Sequence, residues 1–173
     1  MSPRQNLVRT CLAATAALAA AGCASQTPHA KQTPDDVKPG MIALTAADFQ
    51  DTDANRWRDT TTVAAYIYAA SGAYPLPMRV RGTFEFRLEG KGGKNLGRWV
   101  FDERQTEAAL RQLAPGPGFV FQLSLAKLGA EQTQEREAEI LCTFTPVGGT
   151  PIRARPSAPL LIGPMNREGG SGG

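Results

Sequence analysis

Met78-Arg79-Val80-Arg81-Gly82-Thr83-Phe84-Glu85-Phe86-Arg87-Leu88 alternates apolar and polar residues over eleven positions, and this alternation decides the fold class. Met78, Val80, Phe84, Phe86 and Leu88 project to one side, with Arg79, Arg81, Thr83, Glu85 and Arg87 on the other. A period of two is the signature of a strand with one buried and one wet face, the habit of antiparallel sheets. The same pattern recurs twice downstream. Phe119, Phe121, Leu123 and Leu125 alternate with Val120, Gln122 and Ser124. Ala138, Ile140, Cys142 and Phe144 alternate with Glu137, Glu139, Leu141 and Thr143.

Shorter strands are expected at 42–45, 63–70, 96–101, 152–155 and 160–162. Turn chemistry separates them: Ser71-Gly72 followed by Pro75-Leu76-Pro77, then Gly90-Lys91-Gly92-Gly93, then Val147-Gly148-Gly149. One segment breaks the β period. Thr106, Ala109, Leu110 and Leu113 recur at helical spacing, which predicts a helix from Glu103 to Leu113. Asp102 is its expected N-cap, with Gln105 as capping-box partner, and Ala114-Pro115-Gly116-Pro117-Gly118 is its stop. A short helix between strands suits a crossover from one sheet to another. Seven or eight short strands at this spacing predict a mainly β, Greek-key immunoglobulin-like sandwich with one short crossover helix. The alternative is a small closed barrel.

The N-terminal residues set the expected address. Arg4 and Arg9 precede an apolar, alanine-rich run from Cys11 to Ala21, which closes on Ala20-Ala21-Gly22-Cys23. These are the three parts of a secretory signal, and the run is too short for a membrane span of about 20 residues. Small residues before Cys23 resemble the lipobox of bacterial lipoproteins, although alanine stands at position 20 where leucine is commonest. The resemblance implies cleavage after residue 22, lipid on Cys23 and anchoring to the membrane. By the same resemblance, Ala24 and Ser25 imply the cell envelope, at the outer membrane of a Gram-negative bacterium. The expected organisation is a signal peptide over 1–22, lipidated Cys23 with a disordered spacer over 23–40, a sandwich over 41–164, and a flexible tail over 165–173.

Two further stretches carry resemblances. Val63 to Leu88, an apolar strand running into Ser71-Gly72 and Pro75-Leu76, is similar to the first hairpin of bacterial immunoglobulin-like surface modules. Gly82-Thr83-Phe84-Glu85-Phe86, Gly118-Phe119 and Phe144-Thr145-Pro146 resemble bacterial lipoproteins with a single sandwich domain. Those lipoproteins carry no assigned chemistry, so the likeness speaks to fold alone.

Charge and residue inventory then narrow the function. The chain has 19 Lys and Arg against 16 Asp and Glu, a formal charge of +3. Loss of Arg4 and Arg9 with the signal brings this to about +1, and no nucleic-acid partner is expected. Cys142 is the one cysteine left for the domain, on the inward side of its strand, so it reads as a small core hydrophobe. His29, the single histidine, falls in the spacer. Histidine-based triads and multi-histidine zinc sites are therefore excluded within the domain. Trp99 and Phe101 read as core.

Three functional readings remain. The first is a non-enzymatic envelope lipoprotein that binds or assembles, meeting the membrane through its N-terminal lipid and an envelope protein or glycan through its domain. The second is a calcium- or glycan-binding surface module. Asp51-x-Asp53-x-Asn55-x-x-x-Asp59 spaces oxygen ligands like an EF-hand or dockerin loop, although Arg56 stands where the turn calls for glycine and Thr62 replaces the final acid. Tyr66 and Tyr68 share a strand face opposite Val63, Ala65 and Ile67 and can stack on sugar rings or a partner if that face is exposed; the other reading is a central strand buried on both sides. The third is a carboxylate-based hydrolase drawing on Asp48, Asp51, Asp53, Asp59, Asp102, Glu103 and Glu107. No cofactor is expected beyond the calcium option. Arg79, Arg81 and Arg87, with Lys91 and Lys94, form a basic stripe interrupted by Glu85 and Glu89.

Overall fold

The computed structural model describes residues 37–72, 74–129 and 133–165. The expected signal, Cys23, the spacer up to residue 36 and the tail from residue 166 lie outside the described residues.

Eleven strands and one α-helix are assigned among the described residues: β1 Pro39–Ala46, β2 Trp57–Arg58, β3 Thr60–Ala69, β4 Gly82–Glu89, β5 Asn95–Phe101, α1 Glu103–Ala109, β6 Leu110–Leu113, β7 Gly116–Ser124, β8 Glu137–Pro146, β9 Ile152–Arg153, β10 Leu160–Leu161 and β11 Gly163–Pro164. They form two main antiparallel sheets. Sheet one has the order β1-β3-β7-β6, and sheet two the order β10-β8-β4-β5 with β9 also on β8. β2 and β11 make a separate short ribbon. Read as A-B-E-D in sheet one and G-F-C in sheet two, with β5 added beyond C, this is the immunoglobulin-like Greek-key order.

Phenylalanine closes the sandwich. Phe84 of β4 meets Phe119 and Phe121 of β7 with ring centroids 5.3 and 5.1 Å apart. Phe86 and Phe101 of sheet two reach the same Phe121 at 5.1 and 4.5 Å. Phe144 completes the cluster at 4.6 Å from Phe84. Such offset and tilted pairs are worth about 0.5–1.5 kcal/mol each beyond the area they bury. The Trp99 indole also crosses the gap, donating to the Ser124 carbonyl at 3.2 Å. Cys142 lies on β8, the strand that carries half of the inter-sheet disulfide in antibody domains, but β3 offers it no partner cysteine.

The crossover helix is present, and its start follows the capping-box expectation. The Asp102 carboxylate accepts the Gln105 backbone N–H at 2.8 Å, and the Gln105 side chain accepts the Asp102 N–H at 2.9 Å. Its end differs from the prediction. α1 stops at Ala109, and Leu110–Leu113 is a strand paired with Gly116–Phe119 around a two-residue Ala114-Pro115 loop. Gly116 sits at φ +139, a conformation open to glycine and not to other L-residues, and this turn lets hairpin pairing win over another helical turn.

The founding run 78–88 is also divided. Met78 bridges Ile67 in sheet one, its N–H donating to the Ile67 carbonyl at 2.7 Å, whereas 82–89 belongs to sheet two. Residues 79–81 carry the chain across the sandwich. Both halves keep the period-two pattern because both bury the same parity of residue in one shared core. β1 starts at Pro39, two residues ahead of the expected domain boundary.

Candidate binding surface

β1, β3 and β7 contain not one Asp, Glu, Lys or Arg. One face of each packs inward: Ile42 on β1, Val63, Ala65 and Ile67 on β3, Phe119, Phe121 and Leu123 on β7. The other face is therefore an uncharged outer surface. Register aligns its residues: Met41 opposite Tyr68, Ala43 opposite Tyr66, Thr45 opposite Ala64, and on the far side Ala64 opposite Val120 and Thr62 opposite Gln122. Met41 is 54% exposed, Thr45, Thr62 and Gln122 are exposed, and Tyr66 and Tyr68 are half-buried.

Tyr66 leans across the neighbouring strand onto Gly118. A Cβ built on Gly118 would stand 2.8 Å from Tyr66 Cε1 and 2.9 Å from Leu113 Cδ1. The ring thus fills the place of the missing side chain. Arg111 on β6 marks the margin of this face, and its guanidinium turns back to donate to the Ala108 and Leu110 carbonyls at 2.8 and 2.7 Å.

The outer face of sheet two is the opposite in character. It carries Glu85, Arg87 and Glu89 on β4, Arg98 on β5, and Glu137 and Glu139 on β8. Glu85 takes a hydrogen bond from Arg98 at 2.9 Å, which with the charge of Arg87 holds its carboxyl below the ordinary range. Four of the five cations of the expected basic stripe stand in ion pairs: Arg79 with Glu107, Arg81 with Glu103, Arg87 with Glu85 and Glu89, and Lys94 with Glu135.

The acidic loop is closed on itself. Asp51 accepts the backbone N–H groups of Asn55 and Arg56 at 3.1 and 2.7 Å. Partial desolvation pushes its carboxyl up, but these bonds, joined by Asp53, outweigh that and hold it below its usual 3.8. Asp53 takes the Asn55 N–H and side-chain amide, and Asn55 in turn accepts from the Trp57 N–H at 2.8 Å. Arg56 adopts φ +71, the left-handed conformation for which glycine is the ordinary residue. Asp59 is turned inward, 1% exposed, and accepts from the Thr60 hydroxyl at 2.9 Å. Among the described residues no three His, Cys, Asp or Glu side chains converge on a common point that could hold a metal ion.

The remaining candidate carboxylates have partners as well. Asp48 accepts the Leu161 N–H at 2.9 Å, Asp102 caps α1, and Glu103 and Glu107 pair with arginines. Cys142 is 2% exposed, and burial pushes its thiol up to about 12. Trp99 is buried in the core.

Sequence reading singled out the two tyrosines but not the face they stand on. The signal was available in the total absence of charge from three strands. Among the described residues no helix is long and apolar enough to cross a membrane. Comparison with protein-family models, curated proteins and solved structures finds no match.

Proposed function

We propose that this chain is an envelope lipoprotein. Its immunoglobulin-like sandwich, tethered through lipid on Cys23 to the outer membrane of a Gram-negative bacterium, serves a non-enzymatic binding or assembly role. The binding surface is the outer face of sheet one. The observation that carries this reading is the contrast between the two outer faces. Sheet two spreads alternating charges over its solvent side, the usual dress of a solvated sheet. Sheet one offers Met41, Tyr66, Tyr68 and Val120 with no charge among them. Tyrosines on an uncharged surface are what recognition sites favour, since each supplies a large rigid contact with a polar tip. The lipid supports the same reading by holding the domain near its partners.

The test joins both parts. A photo-reactive residue at Met41 and another at Arg98 are introduced into the full chain in cells. Cross-links from position 41 and none from position 98 are the expected result. Lipid labelling that disappears in Cys23→Ser checks the anchor. Equal cross-linking from both positions removes the surface, and unlabelled wild-type protein removes the anchor.

A further inference from the structure

We propose that the outer face of sheet one is a stacking platform for an uncharged polysaccharide, with Tyr66 and Tyr68 as the ring contacts. The proposal deepens the preceding one, since it names the ligand class for that same face.

Charge argues first. A partner carrying ionic groups would have them stripped of water against β1, β3 and β7 with no counter-charge from those strands, and the Arg111 guanidinium at the margin is turned to the Ala108 and Leu110 carbonyls. A neutral glycan brings no such penalty. What it brings is hydroxyls, and the face meets them with groups that both donate and accept: Thr45, Thr62, Gln122 and the tyrosine hydroxyls.

Shape argues next. Ala43 flanks Tyr66 on one side and Gly118 receives its ring on the other, so the tyrosine is bordered by small residues rather than walled in. Tyr66 is half-buried, so part of the residue stays open to solvent beside Gly118. The axial C–H groups of a pyranose present an apolar, slightly positive surface, which suits the negative face of an aromatic ring. Tyr68, two residues along the strand, repeats the contact beside Met41.

Size decides between occupants. Strands of about eight residues at 3.3 Å, three abreast at 4.8 Å, give a face of roughly 25 by 10 Å, on the order of 250 Å². A standard protein interface takes about 800 Å² from each partner. The face is about a third of that, too small for a stable second copy, and long enough for a chain of several sugar rings.

The experiment uses the purified full chain in native gels cast with neutral soluble glycans (dextran, amylose and hydroxyethyl cellulose), with alginate as an anionic control, and in pull-downs on chitin and cellulose. At least one neutral glycan is expected to retard or retain the protein. Affinity should fall about tenfold or more in Tyr66→Ala and Tyr68→Ala, which corresponds to about 1.4 kcal/mol or more. Tyr68→Phe should lose less than Tyr68→Ala, because the ring survives, and Val100→Ala on sheet two should bind as wild type does. Thermal melts confirm that each variant is folded. The proposal is overturned if no neutral glycan binds or if the alanine variants bind as well as wild type. It is equally overturned if the tyrosines instead govern self-association or sedimentation with phosphatidylcholine vesicles. In those last two cases the face remains a binding surface and only its ligand is wrong; loss of position-41 cross-linking is the separate result that removes the surface itself.

Discussion

Tyr66 and Gly118 are complementary across the β3–β7 pair: the phenol ring occupies the space that a side chain on Gly118 would need. One absent Cβ therefore shapes the centre of the uncharged face. It also ties the packing of sheet one to its outer surface, since Leu113 of the β6–β7 hairpin presses on the same point.

Gly118→Ala is expected to destabilise the domain by about 1–3 kcal/mol, the usual cost of forcing extra volume into a packed site. In a Tyr66→Ala background the same change should cost less than half as much, because the clashing ring is gone. Urea denaturation of the four proteins in this cycle measures the coupling. Additive costs would mean that the ring and the glycine do not share the site.

Phe121 is the hub of the aromatic core, touching Phe84, Phe86 and Phe101. Phe121→Ala should cost about 3–5 kcal/mol, enough to consume much of the stability of a small domain. Val120→Ala, one residue away on the outer face, should cost under about 1 kcal/mol. Similar losses at both positions would contradict the assignment of faces on β7.

Asp102→Ala removes the acceptor for the Gln105 N–H and should cost about 1 kcal/mol. Gln105→Ala removes only the reciprocal bond and should cost less. The check is the urea midpoint of each variant, and a reversed order would mean that the cap is not what starts α1.

Cys142 should resist iodoacetamide at about pH 8 until the chain is unfolded, with mass spectrometry locating the label. Its folded thiol titrates at about 12 against an ordinary 9.0, so the unfolded chain sheds the proton first as pH rises. Stability should consequently decline between those two values. The decline specific to this group is the difference between wild type and Cys142→Val. Curves that run parallel would show that the thiol is not buried in the native state.

How much of this was legible beforehand varies by element. β8 and most of β7 could be read directly, because each keeps one face in the core and the alternation is unbroken. The capping box at Asp102 and Gln105 is local chemistry and was equally legible. The end of α1 was not: Leu110 and Leu113, three apart, share a helix face but fall on opposite faces of a strand, so local spacing favoured helix and pairing with β7 overrode it. Likewise 78–88 reads as one strand because nothing local shows that Met78 bonds to Ile67 while Phe84 bonds across to Phe144 and Phe101.

The candidate surface follows the same division. The sequence alone determined that β1, β3 and β7 are free of charge and that Tyr66 and Tyr68 point the same way, since composition and a period of two need no partner. The same alternation determined a mainly β class, and the two separate sheets of the tertiary structure decided for a sandwich over a closed barrel. Only the tertiary structure decided that these three strands are neighbours in one sheet, that Tyr66 rests on Gly118, and that Asp59 turns inward while Asp51 and Asp53 bind their own loop. Strand order, register and loop closure depend on contacts between residues far apart in the chain, and their energies are set by packing rather than by local preference.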